Sequence, residues 1–346
     1  MKFCPDCGAK LVSQKFCHEC GANIAKYLSD DVDNAHESKN ILDFDFSALQ
    51  NEAQEQLEEK KRLDKIAADF EIKDGVLVKY KGKGGRVVIP SDVKVIGERA
   101  FENNADVTDV VTPNSVEKIE QAAFSGVRLK RIVLPVNLKT VKEYAFFNCE
   151  ELTEVKFEGN VCESIGRRAF CDCLKLTEIW LPDSVKKIGE DAFHGCENLN
   201  DIRLPRYITE IAAGMFAYCF ALRNINLPDG IKTICEMAFY RCDNLTNITI
   251  PDGVTKLESK TFVECKRLKT VNLPKNLSVI ENFAFEDCES LESITLPNTL
   301  IDFNANAFPP NLKQLRVIRI PSKFSGSSAI SLFQKYYHPN CQVIMY

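Results

Sequence analysis

Four cysteines near the N-terminus form two C-x-x-C pairs. Cys4 and Cys7 lie in the phrase CPDCG, and Cys17 and Cys20 lie in the phrase CHECG. Two such turns can bring four thiolates to one point, and the glycine after each pair lets the backbone amides turn towards the sulfurs. These residues therefore predict a tetrahedral Cys4 zinc site. The alternative, a thioredoxin-like redox pair, would need a single C-x-x-C on a βαβ unit.

Zinc in this position would be structural. The ribbon predicted over residues 1–24 is too short to bury an apolar core, so metal binding would supply most of its free energy of folding. The phrase MKFCPDCGAKL resembles the N-terminal zinc-ribbon segments of many bacterial proteins. That resemblance implies contact with a protein or, as the less common alternative, with nucleic acid.

The residues after the ribbon fall into two segments. Residues 25–46 are acidic and show no hydrophobic period, which predicts a flexible linker. Ser47 and Gln50 can form a capping box, and the apolar residues that follow approximate one helical face, which predicts a charged helix over residues 47–68. Two hypotheses stay open for this helix: it binds a partner or a coiled-coil mate, or it packs on the neighbouring domain.

A motif of the form LTEIWLPDSVKKIGEDAFHGCEN recurs with small changes over residues 87–311. Its phenylalanine recurs every 23 residues, with one step of 22 and one of 24, at Phe101, Phe124, Phe146, Phe170, Phe193, Phe216, Phe239, Phe262, Phe285 and Phe308. A fixed period of this length is typical of a solenoid, whose units bury their apolar faces only against their neighbours. Within each unit L-x-x-I-x-L-P predicts a short strand, so we expect about ten 23-residue coils and a parallel β ladder.

The consensus L-x-x-I-x-L-P-x-x-V-x-x-I-x-x-x-A-F-x-x-C closely resembles the BspA-like class of bacterial leucine-rich repeats. The resemblance implies a leucine-rich repeat solenoid with a binding function, and many members are thought to be surface or adhesion proteins. The chain departs from the general leucine-rich signature, because no regular Asn or Cys follows the strand. The asparagine ladder of that signature should therefore be largely absent.

Both ends of the repeat region are predicted to be capped. The sequence FEIKDGVLVKYKGKGGRVVIP predicts a capping hairpin over residues 69–90. The sequence GSSAISLFQKYYHPNCQVIMY predicts a helix and a final strand, within a C-terminal cap over residues 312–346. We interpret the lysines of the hairpin as a charged, soluble edge, with a phosphate or acidic-partner site as the alternative.

A second set of cysteines follows the repeat. Each member lies three residues after a repeat phenylalanine, at Cys149, Cys173, Cys196, Cys219, Cys242, Cys265 and Cys288. Free cysteine behaves as a small buried hydrophobe, so this spacing predicts a packing position that recurs along the solenoid. Neighbouring coils lie about 4.8 Å apart, which exceeds the usual Cβ separation of a disulfide and disfavours systematic bonding.

The outward residues of the predicted strands form one continuous face. Down its central column they are Val111, Val133, Lys156, Trp180, Arg203, Asn226, Thr249, Asn272, Thr295 and Arg316. Trp180 is the only tryptophan of the chain, and Trp and Arg are the types that most often anchor interfaces. Lys156, Trp180 and Arg203 are therefore the predicted partner-binding residues. The alternative is that Trp180 covers the stems of its neighbours and binds nothing.

The sequence does not indicate an enzyme. It contains four histidines and has no G-x-S-x-G, phosphate-cradling glycine loop or H-E-x-x-H motif. His194 and Cys196 have the atoms for nucleophilic catalysis, but this cysteine belongs to the repeated packing position and no third group is evident to orient the histidine. We therefore expect no catalytic residues.

Charge and hydropathy narrow the remaining function classes. The 346 residues carry a net charge of -5, which argues against a general affinity for nucleic acid or anionic membrane. The sequence has no run of about 18 apolar residues that could form a membrane span, and its N-terminus lacks the apolar core of a signal peptide. We therefore expect a cytoplasmic protein. The combined prediction is a non-catalytic scaffold whose strand face binds one protein while the ribbon contacts another. The alternatives are a nucleic-acid contact through the ribbon and a surface or adhesion protein.

Overall fold

The structure is a computed structural model of the chain. It describes residues 46–302, 304–309, 311–328, 330–331, 333 and 341–346. The predicted zinc ribbon, with Cys4, Cys7, Cys17 and Cys20, and the predicted linker up to residue 45 lie outside the described residues. The predicted C-terminal helix also falls partly outside them.

One long helix leads into the repeat region. Helix α1 spans Phe46–Asp69, where the sequence predicts a helix over 47–68, and β1 (Phe70–Lys73) follows it directly. The side chains of α1 that the structure describes are largely exposed, and they include Leu57 and Leu63. These two leucines therefore add little to the core of the solenoid.

Most coils contribute one short strand to each of two ladders. In the short ladder these are β1, β2 (Val76–Tyr80), β4 (Val95–Ile96), β6 (Lys118–Ile119), β8 (Thr140–Val141), β10 (Ser164–Ile165), β12 (Lys187–Ile188), β14 (Glu210–Ile211), β15 (Thr233–Ile234), β17 (Lys256–Leu257) and β19 (Val279–Ile280). In the long ladder they are β3 (Gly85–Val88), β5 (Val107–Val111), β7 (Arg131–Leu134), β9 (Glu154–Phe157), β11 (Glu178–Trp180), β13 (Asp201–Arg203), β16 (Asn247–Thr249), β18 (Thr270–Asn272), β20 (Ser293–Thr295), β21 (Val317–Ile320) and β22 (Gln342–Met345). Short 3₁₀ helices span Ala305–Ala307 and Ser322–Phe324. We call the outward surface of the long ladder the strand face.

The predicted parallel solenoid is confirmed, with about eleven turns rather than ten. The difference arises at the two ends. The antiparallel hairpin consists of β1 and β2, whereas β3, which the sequence analysis placed in the capping hairpin, pairs in parallel with β5. At the other end β22 pairs in parallel with β21. Strands predicted within caps therefore extend the strand face.

A stack of phenylalanine rings forms the spine of the core. All ten repeat phenylalanines are fully buried, and the centroids of neighbouring rings lie 4.9 to 5.9 Å apart with interplanar angles of 1° to 18°. The widest separation, 5.9 Å, lies between Phe193 and Phe216. Because each ring contacts only the rings of the adjacent coils, the stack couples the coils in a linear series.

Each coil from Phe101 to Phe285 turns through left-handed backbone on either side of its phenylalanine. The residues two positions before and two positions after the ring have positive φ, as Arg99 and Asn103 do around Phe101. For residues other than glycine this conformation costs of order 1–3 kcal/mol. Backbone hydrogen bonds to the next coil offset the cost, such as those from Arg99 N to Gln121 O at 3.0 Å and from Asn103 N to Ser125 O at 2.8 Å.

The seven repeated cysteines are buried, as predicted. Each thiol donates to the carbonyl oxygen of the repeat phenylalanine in the preceding coil, with Sγ to O distances of 3.1 to 3.2 Å. Burial raises the pKa of Cys149 to about 12, and it also raises the pKa values of the other six well above their ordinary range. The cysteine position therefore satisfies one backbone acceptor per coil with a thiol that stays protonated.

Both ladders are interrupted in the same part of the solenoid. The short ladder divides between β12 and β14, the long ladder divides between β13 and β16, and residues 224–226 belong to no strand. On the phenylalanine side the hydrogen bonds continue, for example from Phe193 N to Met215 O at 3.0 Å and from Phe216 N to Ala238 O at 2.9 Å. The ring stack and these bonds therefore carry much of the coupling between the two halves.

Candidate protein-binding face

The structure brings the three predicted partner-binding residues together on the strand face. Trp180 in β11 pairs in register with Arg203 in β13, and Ile179 pairs with Val155, which places Lys156 on the other side of Trp180. The indole is 62% exposed. The exposed area makes Trp180 available to a partner, while its position between two long cationic stems also permits the alternative, in which it covers its neighbours.

Two arginines converge on one carboxylate beside Trp180. Arg203 Nη2 lies 3.5 Å from Asp183 Oδ2, and Arg206 Nε lies 3.0 Å from the same oxygen. The backbone N–H of Arg206 also donates to Asp183 Oδ1 at 3.1 Å, and this bond is the main cause of the lowered pKa of Asp183. One carboxylate thus orients both guanidinium groups at the end of the strand.

Arg206 and Tyr207 also belong to this surface, although the repeat pattern did not predict them there. Tyr207 is 66% exposed, and the guanidinium carbon of Arg206 lies 5.9 Å from the centre of its ring. The signal in the sequence was the phrase PRY after β13, where three sister coils have PDS or PDG and none has an aromatic residue after the proline. Tyr and Arg belong with Trp among the residues enriched in binding hot spots.

A column of carboxylates, which the sequence pattern did not predict either, runs beside Trp180. Glu178 pairs in register with Glu154 on one side and with Asp201 on the other, and all three residues are exposed. Arg131 pairs in register with Glu154, but in the described chain no cationic group lies within 4 Å of any of the three carboxylates. Like charges directly opposite each other on neighbouring strands are destabilising.

The second half of the strand face is polar and uncharged over several coils. Asn272 Nδ2 donates to Thr249 Oγ1 at 3.0 Å, and Asn247 Nδ2 donates to Asn224 Oδ1 at 3.3 Å. The central column ends differently from the prediction, because Thr295 pairs in register with Arg319 and not with Arg316. The irregular spacing after the last repeat phenylalanine shifts the register by three residues.

The structure does not assemble the one catalytic pair that the sequence offered. Cys196 is fully buried and its thiol donates to Phe170 O at 3.1 Å, with its pKa far above the ordinary range because of burial. His194 instead faces Asp191, with 3.6 Å between Nδ1 and Oδ1, and its proximity lowers the pKa of that carboxyl. Among the described residues, no three or more His, Cys, Asp or Glu side chains are grouped to hold a metal ion. None of the described helices is long and apolar enough to cross a membrane.

Comparison with known proteins identifies the repeat. The model of the family described as "BspA type Leucine rich repeat region (6 copies)" matches residues 79–200, 163–265 and 209–337. A leucine-rich repeat protein of Bacteroides ovatus is 21% identical over 78% of this chain and 87% of its own, with a TM-score of 0.55, and shares the solenoid fold.

Two other solved structures are similar at lower structural scores. The Treponema pallidum leucine-rich repeat protein is 26% identical over 68% of this chain and 91% of its own, with a TM-score of 0.46. A leucine-rich cell surface protein of Faecalibacterium prausnitzii is 25% identical over 80% of this chain and 92% of its own, with a TM-score of 0.42. No curated protein matches the chain. Since the family match extends over most of the chain, the protein belongs to the BspA-type leucine-rich repeat family.

Proposed function

We propose that the chain is a non-catalytic protein-interaction scaffold of the cytoplasm. The strand face around Lys156, Trp180 and Arg203 binds one protein partner, and the zinc ribbon contacts a second. The observation that carries this function is the exposure of the only tryptophan, 62%, between two cationic residues on a rigid parallel ladder. A solenoid offers an extended surface of this kind, and Trp and Arg supply most binding energy in such interfaces.

Loss of binding by a strand-face variant tests this function. In affinity capture from native cell lysate, the Trp180→Ala/Arg203→Glu bait should lose its partner about 30-fold relative to the intact bait, as expected for a hot spot worth about 2 kcal/mol. The matched control is Arg167→Glu/Lys187→Ala, which changes exposed residues by the short ladder. Circular dichroism should show that all baits fold. Undiminished capture by the strand-face variant would contradict the assignment of the face.

Zinc at the ribbon is the second part of the proposal. Cys4, Cys7, Cys17 and Cys20 would hold the ion, and four thiolates in two C-x-x-C pairs are a donor set that zinc prefers. When bound, zinc supplies folding free energy to the ribbon. The eleven described cysteines, all free, also agree with a reducing compartment, which cell fractionation tests directly.

Elemental analysis of the purified protein is expected to find one zinc per chain. The Cys4→Ser/Cys7→Ser variant should lose the ion, because two serines cannot replace the thiolate ligands. A Cys235→Ser/Cys341→Ser control changes two partly buried thiols elsewhere and should keep the full stoichiometry. Zinc that survives in the first variant would place the ion at other residues. If the ribbon instead contacts nucleic acid, binding should weaken steeply with salt.

A further inference from the structure

Two charged columns run side by side on the strand face. The acidic column is Glu154, Glu178 and Asp201, and the basic column is Lys156, Trp180 and Arg203. Each acidic residue lies two positions before its basic-column neighbour in the same strand, so the side chains of both columns leave the ladder on the same side. Over three consecutive coils, each strand therefore presents a carboxylate and, two residues later, a lysine, tryptophan or arginine on the strand face.

Within the described residues, the carboxylates of the acidic column form no ion pair. Its carboxylates stand on adjacent strands, where like charges repel each other, and no cationic group of the described chain lies within 4 Å of them. The cations of the basic column do have carboxylate neighbours. Lys156 Nζ lies 3.8 Å from Glu158 Oε1, and Arg203 and Arg206 both contact Asp183. The partners that the acidic column lacks are therefore cations in the same coils, which the basic column offers at Lys156 and Arg203, with Trp180 as a neutral donor between them.

A two-fold axis parallel to the solenoid would supply those partners. Such an axis between the two columns reverses the strand direction and keeps the order of the coils, so the acidic column of one copy faces the basic column of the other. The opposed pairs are Glu154 with Lys156, Glu178 with Trp180, and Asp201 with Arg203. In the coils on either side, Arg131 of one copy faces Val133 of the other, and Asn224 faces Asn226. No row opposes two like charges.

We propose that two copies of the chain associate through their strand faces about this axis. The inference rests on the proposed function in taking the strand face as the binding face, and it names a second copy as the occupant. Trp180 then lies at the centre of the interface, where its indole N–H can donate to Glu178 of the partner subunit. The dimer covers the strand face, so another protein can bind there only after the dimer dissociates.

Charge-swap variants of the full chain test the proposal by sedimentation equilibrium from about 1 to 200 µM, a range suited to micromolar affinity. Asp201→Arg faces Arg203 across the axis and Arg203→Asp faces Asp201, so each variant alone should self-associate at least ten-fold more weakly. A mixture of the two should recover the dimer to within about three-fold, because both opposed pairs are then complementary. Arg203→Asp could disturb folding because Arg203 contacts Asp183 in the same chain. The second pair of variants, Glu154→Lys and Lys156→Glu, repeats the design at residues that do not contact Asp183.

The outcomes separate this inference from the proposed function. Recovery in the mixture, with loss in each single variant, supports the two-fold arrangement. A monomeric intact chain, or dimers that persist in all single variants, would overturn it. If the intact chain is monomeric and Trp180→Ala/Arg203→Glu still loses a captured protein, the proposed function stands and only the dimer fails. If the charge swaps weaken a dimer and no other protein is captured, the dimer stands and the proposed binding of a different protein fails.

Discussion

Raising the pH above about 8.5 is expected to unfold the solenoid over a narrow range, because seven thiols are buried in the protonated form. Burial raises the folded-state pKa of Cys149 to about 12, and it also raises the folded-state pKa values of the other six thiols. Below about pH 8.5 both folded and unfolded chains keep these protons, so the thiols leave stability unchanged. Above it only the unfolded chain releases them, and stability falls as the pH rises towards the folded pKa values.

The expected effect is large. Each thiol lowers the free energy of unfolding by about 1.4 kcal/mol per pH unit in this range, and seven together lower it by roughly 10 kcal/mol per pH unit. Domains are typically stable by about 5–15 kcal/mol, so unfolding should be complete within about two pH units. The measurement is the urea midpoint from circular dichroism at pH values between 7 and 10.5.

A non-titrating replacement supplies the control for the alkaline transition. In Cys219→Ser/Cys242→Ser/Cys265→Ser each hydroxyl can still donate to the phenylalanine carbonyl, but it does not ionise in this range. The pH dependence of this variant should be shallower by roughly 4 kcal/mol per pH unit. An identical pH dependence in the two proteins would show that other groups cause the alkaline unfolding.

The second large effect is expected from Phe216→Ala. Phe216 is fully buried, and its ring lies 5.9 Å from that of Phe193 and 5.6 Å from that of Phe239. Removing a buried phenylalanine costs about 3–5 kcal/mol through lost burial and the cavity left behind. The loss should lie at the upper end here, because both ladders are interrupted around this coil.

Urea unfolding measures this loss and its distribution along the chain. Since Phe216 couples the two halves, Phe216→Ala should separate the unfolding transitions of the halves, with Trp180 fluorescence reporting only the first half. Phe283→Ala is the matched control, because Phe283 is 40% exposed and should change stability by about 0.5 kcal/mol or less. A loss below about 1 kcal/mol in Phe216→Ala would contradict the role of the ring stack.

The fold was largely predictable because the repeat is one-dimensional. Once the 23-residue spacing of phenylalanine was recognised, ring stacking, the parallel ladders and the buried cysteines followed from contacts between equivalent positions in neighbouring coils. The exact number of turns did not follow, because β3 and β22 lie in the predicted caps yet pair in parallel with β5 and β21. The left-handed positions were also missed. Asn103 is of a type enriched at positive φ, but Arg99 is not, and both conformations depend on bonds to the next coil.

The candidate site was less predictable than the fold. Strand alternation was enough to place Lys156, Trp180 and Arg203 together. The pairing of Arg203 and Arg206 with Asp183 depends on the turn after the strand, and Lys275 contacts Asp252 in the same way in an equivalent coil. These turn residues lie outside the strand alternation from which the face was predicted. The acidic column required the register of three strands, because each carboxylate taken alone is an ordinary exposed residue.

Site-specific photo-cross-linking tests most directly whether the strand face is the binding surface. Photoreactive benzoylphenylalanine replaces Tyr207, which is exposed beside Arg206 on this surface, in one variant and the exposed Lys187 by the short ladder in the control. We expect a discrete adduct at position 207 in living cells, with a second copy or another protein identified by mass spectrometry, and none at position 187. No adduct at position 207, or equal adducts at both positions, would contradict binding through the strand face.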